Sequence, residues 1–116
     1  MSITQLYTQV QKPWGAFFDY AERKGKWHLK LLEIKKGHRL SLQYHEQKDE
    51  TLYIYEGKVL LEVEDKGSLV TSILEPGQCI RIPPLTRHRI KAIEDTMVFE
   101  VSTAELGDVV RLADDY

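Results

Sequence analysis

Four side chains of metal-ligating type sit at spacings that extended strands would bring together. Gln43 and His45 are two residues apart, so they project to one side of a strand. Glu50 opens the next apolar run, and His88 opens another far downstream. Nitrogen and oxygen donors drawn from separate strands suit a divalent first-row metal better than a soft copper or iron–sulfur centre.

Those residues need elements that hold them face to face, and the chain supplies short β-type runs between turn residues. Residues 14–20 are aromatic and strand-like, 22–26 read as a turn, and 27–31 alternate polar and apolar in the pattern of a half-buried strand. Gly37 breaks the pattern; residues 39–45, 51–55 and 58–64 resume it, with Glu56-Gly57 as a hairpin signal. Residues 69–74, 78–82, 87–93 and 96–102 complete the set. Turn signals about every 8–12 residues predict an all-β sandwich or barrel. Residues 104–116 are expected to form a short helical turn. Ser41, Gln43 and His45 share one strand face, and His88, Ile90 and Ala92 share another, with Arg87, Arg89 and Lys91 opposite. The four candidate ligands can therefore line one interior without violating the two-residue period.

A length of 116 residues suits one domain, residues 1–116, with a single core. A net charge of −2 shows no basic excess of the kind that binds nucleic acid. No apolar run approaches the roughly 20 residues that span a bilayer, and the first residues lack the pattern of a secretory signal. Cys79 is the single cysteine, which excludes an internal disulfide and fits a reducing, cytoplasmic setting. It is read as a small buried strand residue. His38 reads as a surface residue; His28 can face the interior or solvent.

Two segments closely resemble the signature motifs of the cupin superfamily. The first, G-x5-H-x-H-x3,4-E-x6-G, is matched by Gly37, Gln43, His45, Glu50 and Gly57, with glutamine in place of the first histidine. The second, G-x5-P-x-G-x2-H-x3-N, is matched by Gly77, Pro83 and His88, with Leu85 and Ala92 replacing the glycine and asparagine. The stretch Arg39-Leu40-Ser41-Leu42-Gln43-Tyr44-His45 and the run Arg87-His88-Arg89 resemble the C-terminal cupin domain of type II mannose-6-phosphate isomerases. So do Lys12-Pro13-Trp14-Gly15 near the start and the run from Leu106 to Leu112 through Asp115-Tyr116 at the end.

The resemblance implies a cupin double-stranded β-helix, or jelly-roll barrel, and a likeness to cupins found as homodimers, in which the segment from Trp14 to Tyr20 is expected to pair with a partner's sheet edge. It implies Gln43, His45, Glu50 and His88 as ligands of zinc, manganese, cobalt, nickel or iron. It further implies a sugar-phosphate substrate and interconversion of mannose 6-phosphate and fructose 6-phosphate through a cis-enediol. Glu46, Lys30, Glu100 or a metal-bound hydroxide then stand as candidates for the proton shuttle. Arg39, Arg89 and Lys48 stand as candidates for substrate binding, because cationic groups pair with phosphate oxygens. Arg89 lies on the strand face opposite His88. Where the family often reads Q-x-H-H-H-R-x-E, this chain has Glu46, Gln47 and Lys48, so two histidines have no counterpart. That difference keeps open a non-catalytic sugar-binding cupin or another small metal enzyme. The nucleotidyltransferase domain of full-length type II enzymes has no counterpart in these residues, which carry no Gly-rich nucleotide loop.

Overall fold

Turn glycines divide the chain into short alternating segments, and each pairs antiparallel with a neighbour. The computed structural model describes residues 1, 3, 8–105 and 107–116. Among these, the strands in order are β1 (Thr8–Lys12), β2 (Gly15–Arg23), β3 (Trp27–Ile34), β4 (Leu42–His45), β5 (Glu50–Glu56) and β6 (Val59–Asp65). There follow β7 (Ser68–Leu74), β8 (Cys79–Ile82), β9 (His88–Ala92), β10 (Thr96–Thr103) and β11 (Val109–Ala113). They form a six-stranded sheet, β1-β2-β3-β10-β5-β8, and a five-stranded sheet, β11-β4-β9-β6-β7. This is the two-sheet jelly roll expected of a cupin.

Side-chain alternation explains the core. Leu52 and Ile54 on β5 point inward while Tyr53 and Tyr55 point out. They meet Leu32, Ile34 and Val98 from their own sheet and Val59, Leu61, Ile90 and Ala92 from the other. Burying each large branched side chain is worth about 1.5–3 kcal/mol. Towards the other end, β3, β10 and β5 carry polar residues inward in register: Lys30 opposite Glu100, and His28 opposite Ser102, itself opposite Glu50. The apolar end holds the sheets together, and the polar end is left for chemistry.

Turns hold the frame. Gly57 has φ +91°, and a Cβ there would lie 2.4 Å from the Asp95 carbonyl oxygen, so only glycine fits. Leu85 stands where the second motif has glycine, and it still adopts the left-handed conformation, φ 64°. Its N–H donates to the His45 carbonyl at 2.7 Å, which ties the turn to β4.

Three expectations are corrected. Among the described residues no helical turn is seen near the C-terminus: Val109–Ala113 is a strand, because β4 offers a free edge and the β-branched Val109 and Val110 suit it. Cys79 is exposed, since β8 is an edge strand that turns Ile80 and Ile82 inward and Cys79 and Arg81 outward. The segment from Trp14 to Tyr20 offers no open sheet edge to a partner, because β1 and β3 already pair with the two sides of β2.

Candidate metal centre

The register of the strands builds the site. His45 closes β4, Glu50 opens β5 and His88 opens β9. Gln43 and His88 are cross-strand partners. Glu50 reaches the same space from the opposite sheet. One potential ligand atom from each of His45, Glu50 and His88 lies within 4.8 Å of the other two. The three residues are 6%, 2% and 2% exposed.

Neighbours determine which nitrogen of each imidazole faces inward. His88 Nδ1 lies 3.0 Å from the Thr86 carbonyl, which can only accept, so Nδ1 is protonated. His45 Nδ1 lies 3.1 Å from Asp108 Oδ1 and donates likewise. Asp108 is held in turn by the backbone N–H groups of Gln47 and Lys48 at 2.7 and 2.8 Å. Partial burial opposes ionisation of Asp108, but these donors and His45 outweigh it and keep its carboxyl below the usual range. Both Nε2 atoms then point at Glu50, at 3.0 Å for His88 and 3.9 Å for His45.

A buried cation fits this arrangement. His45 Nε2 is buried without a hydrogen-bond partner among the described residues, and an orphaned acceptor of this kind costs about 1–3 kcal/mol; Glu50 Oε2 beside it meets the Lys48 ammonium at 3.3 Å. Two imidazole nitrogens and a carboxylate, each imidazole anchored through its other nitrogen, are what a first-row divalent ion takes. Burial disfavours the imidazolium of His45 and lowers its pKa, which leaves its lone pair free for a metal. Gln43 lines the adjoining cavity beside His45. Its Oε1 accepts a 2.8 Å bond from Ser41 Oγ, which orients the amide.

Around the centre lies a buried charge cluster. Lys48, 4% exposed, places Nζ 3.0 Å from Glu100 Oε2 and 3.3 Å from Glu50 Oε2. Burial alone would lower the Lys48 pKa, but the two carboxylates outweigh it and keep the ammonium charged. Burial likewise works against the Glu50 carboxylate, yet His88 and Lys48 hold it well below the usual range. Glu100 goes the other way, pushed up by burial and by the charge of Glu50. A cavity of about 560 Å³ opens above the centre, lined by Lys30, Gln43, His45, Lys48 and Glu100 and walled by Trp14 and Phe17.

The other residues singled out in the sequence fall elsewhere. Glu46 is exposed and does not line the cavity. Arg39 and Arg89 converge on Asp115: Arg39 Nε at 2.5 Å, Arg39 Nη2 and Arg89 Nη2 at 3.0 Å each. Arg89 Nε also donates to the Leu40 carbonyl at 2.7 Å, which is how an outward-facing arginine comes to be buried. His38 Nδ1 meets the Tyr116 hydroxyl at 2.7 Å. His28 is buried with Nε2 3.0 Å from Asp19 Oδ1. Sequence reasoning assigned no role to Asp108, Lys12, Arg111 or Tyr116, although the terminal segments carrying all four were already part of the family resemblance.

The cupin domain family matches residues 30–103, which include all four candidate ligands. The chain is a cupin. This cupin is 31% identical over 121 residues to the alginate biosynthesis protein AlgA of Pseudomonas aeruginosa, covering 99% of the chain and 24% of that protein. A Pseudomonas fluorescens protein of the same name is 29% identical over 90 residues, covering 78% of the chain and 18% of the relative. The cupin thus spans about a quarter or less of the length of these curated relatives. Among solved structures it resembles KdgF from a Halomonas species, with a TM-score of 0.75, 22% identity and 88% of each chain covered. It also resembles the capsular polysaccharide assembling protein CapF from Staphylococcus aureus, with a TM-score of 0.78, 14% identity, and 95% and 33% of the two chains covered. At these identities the structural likenesses speak for the fold. No helix of the described residues is long and apolar enough to cross a membrane.

Proposed function

We propose that this cupin is a metal-dependent sugar-phosphate isomerase of the mannose 6-phosphate/fructose 6-phosphate type, acting in the cytoplasm as a homodimer. The observation that carries the reading is the buried His45–Glu50–His88 centre, whose His45 lines a cavity that also presents Gln43, Glu100 and Lys30. The similarity to alginate biosynthesis proteins supports a place in polysaccharide precursor chemistry. Zinc, manganese, cobalt, nickel or iron, held by His45, Glu50 and His88 with Gln43 beside them, would supply Lewis acidity to a substrate oxygen.

The chain's own residues do the rest. Aldose–ketose isomerisation moves one proton between adjacent carbons, which needs a group in the cavity that can take and return it. Glu46 faces solvent, so the reading passes that role to Glu100, with Lys30 beside it. Lys48, bridging Glu50 and Glu100, holds both carboxylates in place. Arg39 and Arg89 hold residues 114–116, whose Asp114 and Tyr116 wall the cavity.

The test is turnover of mannose 6-phosphate by metal-replete protein in a coupled assay, with Glu100→Gln expected to lose at least about 100-fold in kcat. A second reading, a sugar-phosphate-binding cupin without catalysis, is favoured by one observation. The positions of the two family histidines hold Glu46 and Gln47, both exposed. Metal-dependent binding of the sugar phosphate with no turnover on any hexose or pentose phosphate would select it.

A further inference from the structure

The cations expected to meet a substrate anion are already engaged: Arg39 and Arg89 by Asp115, and Lys48 by Glu50 and Glu100. Three other cations line the cavity, namely Lys12, Lys30 and Arg111. Among the described residues none of the three has an ion pair. Arg81 and Arg87, by contrast, are tied to Asp49 and Glu64. Lys12 and Lys30 share one aromatic platform, with Nζ 5.8 and 4.5 Å from the Phe17 ring centroid. Arg111 approaches from the other sheet, in register with Gln43 on β4. Lys12 and Arg111 are exposed at the rim, and Lys30 is half-buried.

The acids of the same cavity balance them only in part, two carboxyls against these three cations and Lys48. Glu100 accepts from Lys48, and Asp114 Oδ1 accepts from the Tyr116 backbone N–H at 3.1 Å. The mouth therefore presents cations from both sheets above an apolar wall, and a ligand anion would complete their coordination. A volume of about 560 Å³ accommodates one small ligand whose anionic end lies at the mouth and whose other end reaches the metal centre.

We propose that Lys12, Lys30 and Arg111 form an anion subsite that holds the phosphate of the sugar phosphate while its carbonyl end lies at the metal centre. The assignment rests on the isomerase reading and adds to it the residues that select the substrate. Guanidinium takes two phosphate oxygens in a fork, and the ammonium groups neutralise the remaining charge. A sugar carboxylate shares this anionic chemistry, so the test separates the two.

The experiment is calorimetric titration of zinc-reconstituted protein with mannose 6-phosphate, inorganic phosphate, mannose and glucuronate. The wild type is compared with Lys12→Gln, Arg111→Gln, the double variant, and Arg81→Gln as a surface control. Unchanged circular dichroism and metal content establish that each variant is folded and loaded. Affinity for mannose 6-phosphate is expected to fall about 10-fold in each single variant and about 100-fold in the double one. Mannose binding and the Arg81→Gln protein should be unaffected. In turnover, KM should rise while kcat holds. Wild-type affinity retained in the double variant would overturn the subsite and leave the isomerase reading standing. Absence of mannose 6-phosphate binding by the wild type would overturn both. Tight glucuronate binding that depends on Lys12 and Arg111, with none for phosphate, would overturn the phosphate assignment.

Discussion

At the scale of single residues, Asp108 matters most outside the ligand set. Its carboxylate fixes the His45 tautomer and so leaves Nε2 for an ion. Asp108→Asn is expected to weaken metal binding about 10–100-fold, read by competition against a chelator, with the fold retained. Equal affinity in variant and wild type would remove Asp108 from the site. His45 also sets a pH dependence. Burial lowers its pKa in the folded protein, so as pH falls below about 6.5 the unfolded chain takes up a proton that the folded chain refuses. Stability is therefore lost on acidification. The depressed carboxyls of Glu50 and Asp108 add to the loss once pH falls below about 4, where the unfolded chain protonates them first. Glu100, shifted upward, works in the opposite sense. Melting of metal-free protein should show Tm declining between about pH 7 and 5.5, and His45→Ala should flatten that part of the curve.

At the scale of elements, a turn and an added strand decide whether the ligands meet. Leu85 holds φ 64° in the turn before β9, a conformation that costs a side-chain-bearing residue about 1–2 kcal/mol. Its side chain is 65% exposed and so contributes little packing. Leu85→Gly should relieve that strain, offset in part by greater freedom of the unfolded chain, for a net gain of about 0.5–1 kcal/mol in urea unfolding. A loss of stability would show that the leucine side chain is packed in solution. β11 places Val109 opposite His45 and Arg111 opposite Gln43, so one added edge strand supplies part of the cavity wall and one of the proposed anion ligands.

At the scale of the whole molecule, the two faces of the six-stranded sheet differ from what a lone barrel requires. Ala16, Phe18 and Leu31 form an apolar cluster with Met97 and Phe99 apart from the main core. The Tyr20 ring lies 6.1 Å from Phe99, and the Tyr55 ring packs edge-on to it at 5.5 Å. Tyr55 and Val101 remain 59% and 48% exposed. Aromatic, weakly charged surface of this kind suits a second copy of the chain. Light scattering is expected to give a dimer at micromolar concentration, and Tyr55→Glu with Val101→Glu a monomer. A monomeric wild type would remove the homodimer from the functional reading.

Most strands were legible from local sequence, because the alternation in segments such as 51–55 and the turn chemistry at Gly57 act over a few residues. Gln43, His45, Glu50 and His88 were likewise legible as candidates, since period-two spacing places them on inward faces whatever the partner strands are. The rest depended on contacts between residues far apart in the chain. Val109–Ala113 became a strand because β4 had a free edge, Cys79 was exposed because β8 lies at the margin, and Arg39 and Arg89 turned to Asp115 because the C-terminal segment folds back over them. The Asp108–His45 contact arises only when β11 docks on β4, and the rim of Lys12, Lys30 and Arg111 only when both sheets close. Short-range rules set each element and its faces; the long-range pairing of those elements chose which charges would meet a partner and which would be left for a ligand.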